Sequence, residues 1–172
     1  KDVNLPLFNF ILYGWNHIFP LTADYMHLLS ALVSAATIPL VWFLAPKRWN
    51  LTQRFIFTAL MSGSFALVQF AGIIRAYSFA VLAVSALTLQ ALSILDVLSA
   101  HKNPSAKRWS AFFFTGLFAA YLHYFSSALF FITALIIFVY ACYFKTGRKT
   151  IFLGTATVFA CWLPWVYHTV RL

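Results

Sequence analysis

Acidic residues are scarce in this chain. Its 172 residues hold three Asp or Glu against twelve Lys or Arg, and charged residues of both signs make up only 9%. Soluble globular domains carry about a quarter charged residues, so this shortage excludes that class. Apolar residues take their place, at 63% of the chain, with 20 Phe and 6 Trp. The composition predicts an integral, multi-pass membrane protein, and the net charge of +9 is better explained by orienting loops than by nucleic acid.

Cysteine is nearly as rare. Cys142 and Cys161 are the two in the chain, and both lie inside apolar runs without metal-ligand spacing. Neither thiol is therefore expected to hold a metal, and both are predicted to be buried and inert.

The apolar runs predict an all-α transmembrane bundle of about six spans. Runs at 24–45, 53–71, 75–98 and 150–167 each suit one span. The stretch 109–144 would be about 54 Å long as one helix, against a hydrocarbon core of about 30 Å. It is therefore predicted to form two spans that fold back at "YLHYFSS", residues 121–127.

The basic residues form three clusters in the loops between spans. With a hairpin at 121–127 all three fall on one side, which the positive-inside rule makes cytoplasmic. A single helix over 109–144 would separate the third cluster from the others. Any working site is then expected at the outer face. The clusters are Lys47, Arg48 and Arg54; Lys102, Lys107 and Arg108; and Lys145, Arg148 and Lys149.

The first stretch, "DVNLPLFNFILYGWNHIFP", is apolar but too short to span a membrane. Its polar residues Asn9, Tyr13, Asn16 and His17 fall within one arc of a helix. It is predicted to be an amphipathic juxtamembrane helix along the outer interface that closes a pocket at lipid level; packing on the bundle without a further role is the alternative. Residues 1–172 are predicted to form one transmembrane domain, with a juxtamembrane segment at 1–23 and a bundle at 24–172. Because the chain starts at Lys1 rather than Met, it is expected to be a fragment.

Several segments, in order, carry a family resemblance. "DVNLPLFNFILYGW" with "YMHLLSALVSAATIPLVWFLA" is similar to the outer-face helix and next span of GT-C fold glycosyltransferases. "IIRAYSFAVLAVSAL" resembles the family's Ala-Arg-x-Tyr start of a span, "AAYLHYFSSALFF" its Tyr-x-His-Tyr hairpin, and "WLPWVYH" a later Leu-Pro-Trp. The nearest branch contains the protein O-mannosyltransferases and the enzyme that transfers aminoarabinose to lipid A.

The resemblance implies transfer of a sugar from a polyprenyl-phosphate donor to a lipid, protein or glycan acceptor. It places the reaction at the outer face of a bacterial or archaeal cell membrane, in contact with membrane lipids. The family's catalytic carboxylate lies before the juxtamembrane stretch, so it is expected upstream of Lys1, with Asp2 as a helper. A divalent metal remains open as a cofactor, through Asp2. The chain departs from the family at Asn4-Leu5-Pro6, where His-Pro-Pro is usual, and at His27, where Arg is usual.

Arg75 is the first candidate for substrate binding. An Arg at the outer end of a span suits a donor phosphate, because its planar fork matches phosphate oxygens; snorkelling to lipid headgroups is the alternative. Tyr77 lies about 200° further round a helix, so it is not expected to share that contact. His123 suits a donor or acceptor contact, or an interfacial place in an aromatic belt. The candidate substrate-binding residues are Arg75, His123, Tyr124, His27, Asn4 and Tyr77.

Two further functions remain open. A transporter or flippase for a lipid-linked or amphiphilic substrate should show polar residues within spans and broken helices in paired halves. The mid-span polar residues of the runs 53–71 and 75–98 are limited to Ser62, Ser64, Ser85 and Thr88, and no paired halves are visible. A non-catalytic membrane scaffold is compatible with the aromatic-rich spans.

Overall fold

The computed structural model describes residues 6–20 and 22–170, with side chains as far as residue 167. Within these ranges the regular secondary structure is helical, and the predicted all-α bundle is confirmed. In chain order the helices are α1 Pro6–Asn16, α2 Ala23–Leu44, α3 Leu51–Ser62, α4 Phe65–Ala71, α5 Tyr77–Ser99, α6 Ala106–Leu122, α7 Tyr124–Tyr143 and α8 Arg148–Val170.

Four of these helices, α2, α5, α7 and α8, are long and apolar enough to cross a membrane alone. A fifth crossing results if α3 and α4, which meet at 45°, count as one broken span. The sixth predicted span corresponds to α6. Its 17 residues reach only about 26 Å, and its first turn holds Lys107 and Arg108. Length and apolarity alone thus select four to five spans among the described helices. α6 runs from Ala106 to the hairpin at His123 and stays a predicted sixth crossing.

α5 is the central helix of the bundle, packing against α2, α4, α6 and α7. Its residues Ala83, Leu87, Ile94 and Leu98 are fully or almost fully buried. α6 and α7 approach each other closely at Gly116, where an added Cβ would lie 2.2 Å from the ring of Phe130. Small residues at such crossings let helix backbones come together and gain dispersion contacts.

The three basic clusters lie at one end of the bundle, called here the basic end. Arg48 Nε pairs with Asp96 Oδ2 at 3.1 Å, which joins the α2–α3 loop to the last part of α5. The α7–α8 loop reaches the same region, because a Cβ on Gly147 would lie 3.3 Å from Asn103 Oδ1. The ring of His101 also contacts that of Phe144, with centroids 5.1 Å apart. The three basic clusters thus lie together at one end; the membrane side that this end faces remains a prediction.

The hairpin predicted within 121–127 is confirmed. α6 ends at Leu122 and α7 begins at Tyr124, so His123 alone connects them. The last carbonyls of a helix have no partner within it. Here Ser126 Oγ donates to the Ala119 carbonyl at 2.9 Å, and Ser127 Oγ donates to the Ala120 carbonyl at 3.0 Å. These two bonds explain why both serines can be buried beside so tight a turn.

The predicted span 53–71 is interrupted at Gly63 and Ser64. α3 ends with Gly63 as its C-cap, and Ser64 Oγ accepts a hydrogen bond from Leu67 N at 3.4 Å, capping α4. Adjacent Gly and Ser residues are a common cause of sharp helix bends. The two pieces therefore diverge by 45° instead of continuing as one rod.

α1 is amphipathic, as predicted, and packs on the bundle at the end opposite the basic end. Phe8 is buried against the Phe79 ring, with centroids 6.0 Å apart. Trp15 Nε1 donates to the Tyr25 carbonyl at 3.0 Å, which fixes the end of α1 to the start of α2. The polar strip is exposed at Asn9, Tyr13 and His17, whereas Asn16 is half-buried.

The prediction that both cysteines are buried is wrong. Cys142 and Cys161 are both exposed on the outside of the bundle. Apolar runs contain outward-facing as well as core-facing positions, and these two residues occupy outward-facing ones.

Candidate functional site

The main candidate site is a cavity of about 640 Å³ beside α5, called here the apolar groove. The cavity forms because α3 packs on α2 but not closely on α5, whereas α4 packs on both α2 and α5. Accordingly, α3 contributes no buried residue to the bundle. The groove is lined by Phe57, Met61, Ser64, Ala66, Phe70, Tyr77, Ala80, Val81, Val84, Ser85, Thr88, Leu89, His123 and Phe125.

The groove follows α5 from Tyr77 to Leu89, a run of about 18 Å at 1.5 Å per residue. Most of its wall is aliphatic or aromatic. Ser64, Ser85 and Thr88 are hydroxyl residues within this wall, and Thr88 Oγ1 already donates to the Val84 carbonyl at 2.9 Å. A cavity of this shape and chemistry suits an extended apolar chain better than a hydrated polar ligand.

Tyr77 and His123 form a polar rim at the end of the groove away from the basic end. Their ring centroids are 5.5 Å apart, and the Tyr77 ring also lies 5.0 Å from that of Phe70. Two of the predicted site residues, 46 positions apart in the chain, thus meet at one place. The hairpin is what makes this possible, because it returns the chain to the end where α5 begins.

His123 also has a structural role. It is the N-cap of α7, and its Nδ1 accepts a hydrogen bond from Phe125 N at 3.2 Å. A neutral imidazole that accepts at Nδ1 carries its proton on Nε2. His123 therefore combines helix capping with one N–H group that can donate to a ligand.

Arg75 lies beside the rim, in the turn 72–76 that precedes α5. The apolar run predicted Arg75 on the same helix as Tyr77, which is wrong, because α5 begins only at Tyr77. The angle of about 200° between Arg75 and Tyr77, calculated for one continuous helix, therefore does not apply, and it no longer argues against a shared contact. The turn is held by Ser30 Oγ and Ser78 Oγ, which donate to the carbonyls of Ile73 and Phe70 at 3.0 and 2.8 Å. Arg75 itself is exposed and does not line the groove.

The other predicted site residues are less closely grouped. Tyr124 follows His123 and is exposed. His27 is exposed on α2, three residues before Ser30, and so lies at the same end of the bundle as the turn 72–76. Asp2 and Asn4 lie outside the described residues. The structure thus brings Tyr77 and His123 into contact and places Arg75, Tyr124 and His27 at the same end.

α1 contributes no residue to the lining of the groove. The expectation that it closes the pocket is therefore wrong for this cavity. Its apolar side is already used by α6 and by Phe79, and Trp15 is bonded to the start of α2.

The described residues include two carboxylates, Asp24 and Asp96. Asp96 is paired with Arg48 at the basic end, far from the rim. Asp24 is exposed in the first turn of α2, where a negative charge favours the helix N-terminus. Within the described ranges no group of three His, Cys, Asp or Glu residues is arranged to hold a metal ion.

A second apolar cavity, of about 450 Å³, lies between α7 and α8. It is lined by Phe131, Phe138, Phe152 and their neighbours, with Thr155 as its polar residue. It has no counterpart of the Tyr77–His123 rim, and so provides a comparison for the apolar groove.

Sequence reasoning missed the groove, although one local signal pointed to it. "SGS" at 62–64 interrupts an apolar run with the residue types that bend helices.

No protein-family model matches this chain, and no curated protein and no solved structure matches it either.

Proposed function

We propose that this membrane protein is a glycosyltransferase that takes its sugar from a polyprenyl-phosphate donor. The observation that carries the proposal is the apolar groove, which ends in a rim of ring and hydrogen-bonding groups. The groove accommodates part of the prenyl tail, and the phosphate and sugar lie at the rim. The resemblance of the sequence to the GT-C fold enzymes supports the same reaction. We further propose a bacterial or archaeal cell membrane as its location, with the rim on the outer side.

The chemistry assigns a role to each group near the rim. Breaking the bond between sugar and phosphate leaves a polyprenyl phosphate dianion. The Arg75 guanidinium stabilises this growing charge through paired N–H groups. His123 Nε2–H and the Tyr77 and Tyr124 hydroxyls donate hydrogen bonds to phosphate or sugar oxygens.

The acceptor hydroxyl or amine must lose a proton as it attacks the sugar, and a carboxylate is the usual base. Asp96 is excluded by its position at the basic end. Asp2 keeps its proposed helper role.

The test is sugar transfer in native membrane vesicles that contain the full-length protein and a labelled polyprenyl-phosphate sugar. Arg75→Ala should reduce transfer about 100-fold or more, the usual cost of removing a group that stabilises charge in the transition state. Arg148→Ala removes the same side chain at the basic end and should leave transfer near the wild-type rate. Wild-type transfer by the Arg75→Ala protein would refute the role of Arg75.

Transport of a lipid-linked substrate is the second candidate, and the break between α3 and α4 favours it. Broken helices line substrate sites in many transporters, and Ser64, at this break, lines the groove. The same labelled donor separates the two functions. An enzyme moves the label to an acceptor, whereas a transporter moves the intact donor across the bilayer with its sugar–phosphate bond unbroken.

A further inference from the structure

Two adjoining cavities at the basic end form what we call the basic pocket. Their volumes are about 400 and 430 Å³, and they share Lys47, Ser93 and Arg108. The α2–α3 loop, the end of α5 and the start of α6 surround them. Five basic side chains line the basic pocket against one carboxylate: Lys47, Arg48, Lys102, Lys107 and Arg108, with Asp96.

Most of these basic side chains make no hydrogen bond or ion pair with the described part of the chain. Asp96 engages Arg48. Among the described residues, no hydrogen bond or ion pair involves the side chains of the other four basic residues of the pocket. Arg54, from the same loop, differs: its guanidinium donates to the carbonyls of Trp49 and Pro46 at 3.3 Å each and does not line the pocket.

The start of α6 adds to this positive potential. Ser105 is its N-cap, but the Ser105 side chain makes no capping hydrogen bond and instead lines the pocket. The free N–H groups of a helix N-terminus favour an anion. Ser105, at this N-terminus, lines the same cavity as Lys107 and Arg108.

The pocket is apolar on its other side. Phe43, Leu44, Ala45 and Ala111 line the first of its two cavities beside the basic residues. Phe43 is 80% exposed, so a large ring faces the surroundings of the bundle at this level. An occupant must therefore be anionic at one end and apolar at the other. A phospholipid fits both requirements, whereas a free phosphate fits only the first.

We propose that the basic pocket binds the phosphate headgroup of an anionic phospholipid, with an acyl chain along Phe43. Basic pockets between helices at the membrane surface are a known means of holding such headgroups. This site is separate from the apolar groove and does not depend on the glycosyltransferase proposal. It takes a resident lipid rather than a reacting one.

The test measures lipid binding to the full-length protein in detergent by native mass spectrometry. Phosphatidylglycerol should bind at least about tenfold more tightly than phosphatidylcholine, whose headgroup has no net charge. Lys107→Gln with Arg108→Gln should weaken phosphatidylglycerol about tenfold to thirtyfold. Lys47→Gln with Lys102→Gln, both on exposed loop residues, gives a second variant pair with the same expected loss.

Arg148→Gln with Lys149→Gln is the matched control. It removes the same two charges from the start of α8, at the same end of the bundle, from residues that do not line the pocket. Its affinity for phosphatidylglycerol should stay within about twofold of wild type. Equal losses in the control and the pocket variants would show a diffuse charge effect and overturn the proposal.

Glycerol phosphate distinguishes the source of the anion. If it displaces phosphatidylglycerol at equal concentration, the pocket recognises a soluble phosphate ester and the lipid proposal is wrong. Retention of phosphatidylglycerol in its presence supports the lipid. Equal affinity of the wild-type protein for phosphatidylcholine would also overturn the proposal.

Discussion

His123 shows how one residue can serve both the fold and the proposed reaction. Its Nδ1 caps α7, and its ring lies beside Tyr77 at the rim of the apolar groove. The sequence predicted a turn at this place and left two roles for the histidine open. It could not show the capping bond, which depends on the extended backbone of His123, or the Tyr77 contact, which depends on the packing of α5 against α7.

Replacing His123 by two different residues separates these roles. His123→Ala should lower the free energy of unfolding by about 1 kcal/mol through loss of the N-cap, whereas His123→Asn retains a capping oxygen and should stay within about 0.5 kcal/mol of wild type. Both remove the Nε2–H donor, so both should slow sugar transfer about tenfold. Thermal unfolding and the transfer assay check the two effects. Normal transfer by the His123→Asn protein would limit this residue to capping.

The bounds of helices were predicted well where an apolar run alone defines them, and poorly where the packing of helices defines them. The bounds of α2, α5 and α8 agree with the apolar runs to within two or three residues. The run at 53–71 instead forms two helices, because Gly63 and Ser64 allow a bend. Hydropathy averaged over the whole run does not reveal that bend. The groove results from that bend and from the packing of α3 on α2 rather than on α5. The spacing of apolar residues in the sequence shows neither feature.

The docking of α1 gives a prediction for a whole element. Phe8 is 3% exposed and Phe10, two residues away on the same helix, is 72% exposed. Phe8→Ala removes the ring that packs on Phe79 and should cost about 3 kcal/mol, freeing α1 from the bundle. Phe10→Ala should change stability by less than about 0.5 kcal/mol. Hydrogen exchange of the α1 amides, fast in the first variant and slow in the second, is the measurement. Equal protection in both would contradict the docking.

Charge organises the molecule as a whole. The three basic clusters meet at one end, and Tyr77, His123 and the turn 72–76 lie at the other. The sequence predicted this grouping because successive spans place alternate loops on opposite sides, and a short hairpin reverses the chain whatever the details of packing. The cavities at either end required the tertiary structure.

The positive-inside rule then predicts that residues 103 and 125 lie on opposite sides of the membrane. Asn103→Cys and Phe125→Cys provide the labelling sites, and both positions are exposed. Cys142 and Cys161, which are both exposed, are first replaced so that each protein carries only the introduced thiol. An impermeant thiol reagent added outside intact cells should label position 125 and spare position 103. Labelling of both from the same side would contradict this orientation.

In the proposed reaction the apolar groove holds the tail of a polyprenyl phosphate. Photo-crosslinking tests this with a polyprenyl phosphate that carries a photoreactive group in its tail, added to the full-length protein in phosphatidylcholine membranes, with peptides mapped by mass spectrometry. Crosslinks are expected at Phe57, Met61 and Val84, and unlabelled polyprenyl phosphate should suppress them. Crosslinks concentrated at Phe138 and Phe152 in the α7–α8 cavity, or spread without competition over the lipid-facing surface, would contradict this placement of the tail.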